Sequence, residues 1–318
     1  MESPRASRRR RARRSRRPLL FTALAVVTVG GVTAGGTVYV KARAHSGAGA
    51  VSSAGSPSAS TSVTAGEEAS VEPATSASAV DRKALLSKAM TAVSVPSGAE
   101  VSTAVLELDS GESAGYGEAA FDTASIVKVD ILATLLLQAQ EAGRHLTASE
   151  KAYATKMIEN SDNASATALW HTIGRADGLD AANERFGLSA TSGGDGELWG
   201  LTQTTAADQL MLLQQVFGEE SLLSAASRTY VQGLMKGVEA DQQWGVSAAA
   251  VGSSWALKNG WLARSTTGLW DVNSIGRVTV DGSDYLVAVL SKGTVSQAKG
   301  IALVEAAAKA AVSSFASS

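Results

Sequence analysis

The chain has 318 residues, 45% of them hydrophobic, 5% aromatic and 18% charged, with a formal net charge of −2. It contains no cysteine, which excludes disulfides, a cysteine nucleophile, cysteine-ligated zinc and a lipid-modified cysteine anchor, and its three histidines, His45, His145 and His171, are too few for a histidine-rich metal site. The charge is split: residues 1–46 hold eleven Lys or Arg and one acid, leaving 17 basic and 29 acidic residues in 47–318, so the C-terminal part is not a nucleic-acid surface.

Residues 1–17 form a basic tail with nine arginines, and 18–40 carry no charge. A run of that length spans a hydrocarbon core of roughly 30 Å, and arginines before it place the N-terminus in the cytoplasm. The segment is read as a membrane-spanning signal anchor or a signal peptide cleaved after Ala42-Arg43-Ala44, with Ser15-Arg16-Arg17 also matching a twin-arginine export signal. The remainder is expected outside the cytoplasm, membrane-anchored or secreted. Residues 41–80 are Ser, Ala, Gly and Thr without apolar periodicity, the composition of a disordered linker.

A folded domain is expected over 81–318. Helical spacing begins at Asp81, a strand at 100–108, a turn at Asp109-Ser110-Gly111, and a second short strand after it. An apolar helix follows from Ser125 to about Gly143. Further helices are predicted at 149–159, 163–173, 177–186, 204–217 and 222–237, then strands at 254–262, 269–280 and 284–291, and a closing alanine-rich helix over 295–315. This order predicts an α+β fold: an antiparallel sheet built from both chain ends, flanked by helices, with an inserted all-helical part.

Three short motifs occur in order: Ser125-Ile126-Val127-Lys128, Ser161-Asp162-Asn163 and Lys258-Asn259-Gly260. Each alone has an ordinary reading, as a helix start, an N-cap or a turn. Together, S-x-x-K, S-D-N and K-[TN]-G resemble the penicillin-recognising serine enzymes, class A β-lactamases and penicillin-binding proteins. The resemblance covers about residues 81–318 and extends to Thr204-Thr205 and the helical stretch after them.

It implies a β-lactamase/transpeptidase-like fold, a small-molecule or peptide substrate (a β-lactam or a cell-wall peptide), and no cofactor or metal. Ser125 is then the nucleophile and Lys128 its base, which requires an amine kept partly neutral by burial or by nearby Lys258. Ser161 relays a proton to the leaving nitrogen, and Asn163 bonds substrate or Lys128. Asp162 is structural. Lys258 offers charge to a substrate carboxylate, Asn259 stands where Thr or Ser is usual, and Gly260 lets the strand approach substrate. The backbone N–H groups of Ser125 and Trp261 form the oxyanion hole. Glu197 is the candidate for the glutamate with which class A enzymes activate the deacylating water, with Asp195 the other nearby acid.

Two rival motifs are set aside. Ser296-Gln297-Ala298-Lys299 repeats S-x-x-K but lies beyond Lys258, and Gly111-Glu112-Ser113-Ala114-Gly115 matches a nucleophile elbow without the helix that must follow it. Three functions stay open: a β-lactamase, a D-alanyl carboxypeptidase or transpeptidase with slow deacylation, and a non-catalytic wall-binding domain.

Overall fold

The computed structural model describes residues 80–316. The basic tail 1–17, the expected membrane segment 18–40 and all of the expected linker 41–80 but Val80 lie outside the described residues. Among the described residues no helix is long and apolar enough to cross a membrane.

Helix α1 (Arg82–Met90) starts at Asp81, whose side chain accepts the backbone N–H of Ala84. Strands β1 (Glu100–Glu107) and β2 (Ser113–Tyr116) form a hairpin that pairs Ser113 with Leu106. The G-x-S-x-G stretch is therefore a hairpin turn and its strand, not an elbow. After β3 (Phe121–Asp122) and a 3₁₀ turn over Ala124–Ile126 come α2 (Val127–Glu141), α3 (Ala148–Glu159), α4 (Asn163–Ile173) and α5 (Arg175–Phe186). Strand β4 (Gln203–Thr204) pairs with β3. Helices α6 (Ala206–Phe217) and α7 (Ala225–Lys236) precede β5 (Trp255–Ala263), β6 (Trp270–Val280), β7 (Ser283–Thr294) and α8 (Gln297–Ala316). At the head of α8, Ser296 Oγ accepts from Lys299 N, so the second S-x-x-K is a helix start.

The five-stranded sheet has the order β2-β1-β7-β6-β5 with antiparallel neighbours throughout. Both chain ends build it, as the sequence predicts. Strand β7 shows why its sequence reads as a continuous apolar run: Leu286, Ala288 and Leu290 face the helical part, and Tyr285, Val287 and Val289 face α1 and α8. Both faces of the strand are covered, so both sets of alternating positions are apolar.

Helix α2 lies at the centre of the helical part, with every residue from Val127 to Leu137 buried. A helix apolar on all sides is stable only when surrounded, and α3, α4, α5 and α7 surround this one. Its burial carries two ionisable groups inside, Lys128 and Asp130. The sequence reading starts this helix at Ser125. In the structure Ser125 sits in the preceding 3₁₀ turn, and the α-helix begins two residues later.

Candidate active site

Ser125 stands on a strained turn held from three sides. Ala124 before it has φ +48°, a left-handed conformation costly for a residue with a Cβ. From β6, Asn273 Nδ2 donates to the carbonyls of Asp122 (2.8 Å) and Thr123 (3.0 Å). From the residue before β4, Thr202 O accepts from Thr123 N (2.9 Å). Asp122 also pairs with Arg264, just past β5, and accepts from Gln203 of β4. The third contact is Gly260: a Cβ there would come within 2.6 Å of Ser125 N and 2.8 Å of Ile126 N. The sequence reading gives Gly260 to substrate approach. In the structure its missing side chain also lets β5 sit directly on the turn that carries Ser125.

One helical turn on, Lys128 Nζ lies 2.9 Å from Ser125 Oγ. It also lies 2.7 Å from Ser161 O, 2.8 Å from Asn163 Oδ1 and 3.1 Å from Ser161 Oγ. The carbonyl of Ser161 and the amide oxygen of Asn163 can only accept. A neutral amine has two N–H groups for them and one lone pair left, which the Ser125 hydroxyl can meet. Burial pushes the Lys128 amine down from 10.5 to about 7, with the Asp162 carboxylate opposing the shift. Burial, not Lys258, is thus the main cause of the depression.

Ser161 is the opposite wall. Its φ of +54° turns both its carbonyl and its hydroxyl toward Lys128. Asp162 caps α4 by accepting Ser165 N at 2.7 Å, and the Ser165 hydroxyl, with that N–H, holds its carboxyl low. Lys258 Nζ reaches Ser161 Oγ (3.1 Å), Asn259 O (3.0 Å) and Gln242 Oε1 (3.5 Å). It is completely buried, and burial together with the charge of Lys128 pushes its amine well down. Two amines thus share one hydroxyl, and neither hydrogen-bonds a carboxylate.

A cleft of about 620 Å³ opens at Ser125, lined among others by Asn163, Leu198, Trp199, Trp261 and Arg264. Three sequence expectations change here. Lys258 is not among the residues lining the cleft, and its amine faces Ser161. Asn259 points to the other face of β5, because successive strand residues alternate, and its Nδ2 donates to Gln242 O (2.7 Å) and Trp244 O (2.9 Å). It braces a loop and touches no cleft. Glu197 lies at the rim, but its carboxylate is held by His171 Nε2 (2.7 Å) and Arg175 Nη2 (3.0 Å) and bonds to none of Ser125, Lys128 and Asn163. Trp261 lines the cleft and leans on Trp244, ring centroids 5.9 Å apart.

Sequence reasoning passes over four residues that shape the site: Asn273, Gln242, Thr167 and Trp199. The first two are single polar residues outside any motif. Thr167 had a readable signal, since it follows Asn163 by four and shares its helix face. Trp199 sits beside Glu197 in sequence, and its ring lies 4.9 Å from Lys128 Nζ.

A buried lysine between two partly exposed serines, set between a helical part and an antiparallel sheet, defines a serine hydrolase of the β-lactamase/penicillin-binding superfamily, enzymes acting on amide bonds. Residues 142–315, more than half of the chain, match the model of the beta-lactamase enzyme family, and the chain belongs to that family. The match takes in the second and third motifs and begins after Ser125 and Lys128.

Several solved structures share the fold. PBP-A aligns with a TM-score of 0.63 at 20% identity over 73% of this chain and 96% of its own, as does a PBP-A variant in acyl-enzyme complex with penicillin G. A class A beta-lactamase from Bacteroides cellulosilyticus DSM 14838 gives 0.63 at 16% identity, over 74% and 99%. The TLA-3 extended-spectrum beta-lactamase gives 0.64 at 14%, over 74% and 98%. At these identities the likeness shows the fold. No curated protein matches the chain.

Proposed function

We infer that the enzyme cleaves a β-lactam or a related cell-wall amide through an acyl-Ser125 intermediate. One observation carries this reading: the Lys128 amine lies 2.9 Å from Ser125 Oγ with both of its N–H groups committed elsewhere, in a site where burial brings it to about 7. Ser125 Oγ gives its proton to Lys128 and attacks the carbonyl carbon. The oxyanion is met by the backbone N–H of Ser125 and of Trp261. Strand β5 is one of the two outer strands of the sheet, and an outer strand leaves alternate N–H groups without a strand partner. The C–N bond breaks as the Ser161 hydroxyl delivers a proton to the leaving nitrogen. Ser161 is resupplied by Lys258 or Lys128, both 3.1 Å from its Oγ.

Labelling with a fluorescent penicillin tests the reading. A covalent adduct on wild type that is lost in Ser125→Ala is expected. Equal labelling of both sinks it, and the absence of any adduct with several β-lactams favours the wall-binding domain instead.

A second reading, a carboxypeptidase- or transpeptidase-like enzyme with slow deacylation, is favoured by the hold of His171 and Arg175 on Glu197. An efficient β-lactamase would lose turnover in Glu197→Gln. The second reading expects that variant to match wild type, with an adduct persisting for minutes.

We also infer export, with the domain carried on residues 18–40 and the linker 41–80, from the arginine-rich run before an uncharged stretch. Protease added to intact cells should digest the domain. Protection until lysis would place it inside.

A further inference from the structure

The loop between α5 and α6 carries two side chains of opposite character two positions apart, Glu197 and Trp199, and α4 sorts them. Asn163, Thr167 and His171 follow at four-residue spacing and share one helix face. Asn163 holds Lys128 at 2.8 Å. Thr167 Oγ1 accepts from Trp199 Nε1 at 3.1 Å. His171 holds Glu197 at 2.7 Å, joined by Arg175 just beyond the helix, itself in a left-handed conformation (φ +60°). The loop has little freedom to rearrange: buried Trp170 donates to Gly196 O (2.8 Å), Gly193 N donates to Asp180 (2.7 Å), and Thr202 Oγ1 accepts from Gly194 N (3.1 Å). The indole is therefore held inward over the Lys128 amine, and the carboxylate is held at the rim.

We propose that Trp199 is a water shield over Lys128 and Ser125, and that His171 and Arg175 withhold Glu197 from the cleft, so that an acyl group on Ser125 outlives its formation. This rests on the acyl-Ser125 reading. Hydrolysis requires a water oxygen to attack the ester carbonyl. Its proton must pass to a base, the C–Oγ bond must break, and Oγ must take back a proton. The indole covers the amine that would receive the first proton, and the nearby carboxylate that could replace it is in an ion pair. The same ring excludes solvent from Lys128 before acylation, so one residue both favours the forward step and hinders the return.

The test follows the lifetime of the fluorescent-penicillin adduct on the full-length protein by intact mass, together with acylation rate against pH. Trp199→Ala should shorten the lifetime at least tenfold and move the acid limb of acylation to higher pH, because water reaches the amine. Trp199→Phe, which keeps a ring but drops the bond to Thr167, should stay within a few-fold of wild type on both. The double variant His171→Ala/Arg175→Ala should shorten the lifetime several-fold, and adding Glu197→Gln should restore it. An unchanged lifetime in Trp199→Ala, with Ser125 labelled normally, overturns the shield. An unchanged lifetime in the double variant overturns the role given to His171 and Arg175. If wild type shows no Ser125 adduct at all, it is the acyl-serine reading that fails.

Discussion

Acylation of Ser125 should depend on pH through Lys128, and the size of the dependence follows from burial. An ordinary lysine at 10.5 is neutral in only about one molecule in 3000 at pH 7, whereas one at about 7 is neutral in about half. The difference corresponds to about 5 kcal/mol of disfavoured ionisation. Single-turnover labelling between pH 5 and 9 should rise tenfold per pH unit at the acid end and level off above about pH 7. Lys128→Arg keeps a permanent charge and should lower the rate by roughly 10²–10⁴ across the range.

The same shift has a consequence for stability. The folded state holds the Lys128 proton less tightly than the unfolded chain, so this group's contribution to stability increases as pH rises from about 7 toward 10.5. Near pH 6 the charged amine is costly, and Lys128→Met removes that cost while losing hydrogen bonds to Ser161 O and Asn163 Oδ1, each worth about 1 kcal/mol. The inactive Met variant should then be more stable than wild type by roughly 1–3 kcal/mol at pH 6, an advantage that shrinks toward pH 10. Acylation that is flat from pH 5 to 9, or a Met variant less stable than wild type at pH 6, would refute the reasoning.

Other perturbations have equally definite outcomes. Asp130, buried in α2, is pushed up to about 7 by burial, so its stability contribution is full below the ordinary carboxylate range and is lost as pH rises through about 7. Asp130→Asn should accordingly be a few kcal/mol, about 2–4, more stable at pH 8, with the advantage shrinking toward pH 4, and equal urea midpoints at pH 8 would contradict this. Gly260→Ala would drive a Cβ into the backbone at Ser125 and Ile126, atoms that cannot rotate away. It should cost about 1–3 kcal/mol in thermal melts and at least 100-fold in labelling rate, whereas near-normal labelling would show that the turn can yield. Leu132→Ala, in the fully buried centre of α2, should cost about 2–5 kcal/mol with labelling retained at low temperature.

What the sequence reveals and conceals divides along physical lines. Helices α3 to α8 bury one stripe and keep its period in the letters, while β7 and α2, covered on all sides, show as unbroken apolar runs. Strands β3 and β4 are two residues each, too short for any period, yet they set the height of the Ser125 turn. The three motifs name Ser125, Lys128, Ser161 and Lys258 because their chemistry demands fixed neighbours. Motifs do not say which way a side chain points. Asn259 turns away from the cleft because of strand alternation, and the close approach of Gly260 to the Ser125 turn is set by a neighbour distant in sequence. Glu197 is two residues from Trp199, and partners distant in sequence, His171 and Thr167 on α4 (26 and 32 positions away) and Arg175 of α5, decide which of the two faces inward.

Backbone strain and charge point to the same cost. Among the described residues, four that are not glycine have positive φ, and three of them lie at this site: Ala124 ahead of Ser125, Ser161 opposite it, and Arg175 on Glu197. Such conformations cost roughly 1–3 kcal/mol each and persist only where packing fixes them. The two buried lysines add a like-charge repulsion that no hydrogen-bonded carboxylate relieves. A carboxylate beside Lys128 would relieve it and stabilise the fold, but it would also return the amine toward 10.5 and leave Ser125 without a base. Neutral acceptors, Ser161 O, Asn163 Oδ1 and Gln242 Oε1, satisfy the amines' hydrogen bonds without neutralising them. The buried run of α2 supplies the packing that keeps such a site folded, and that helix begins two residues after Ser125.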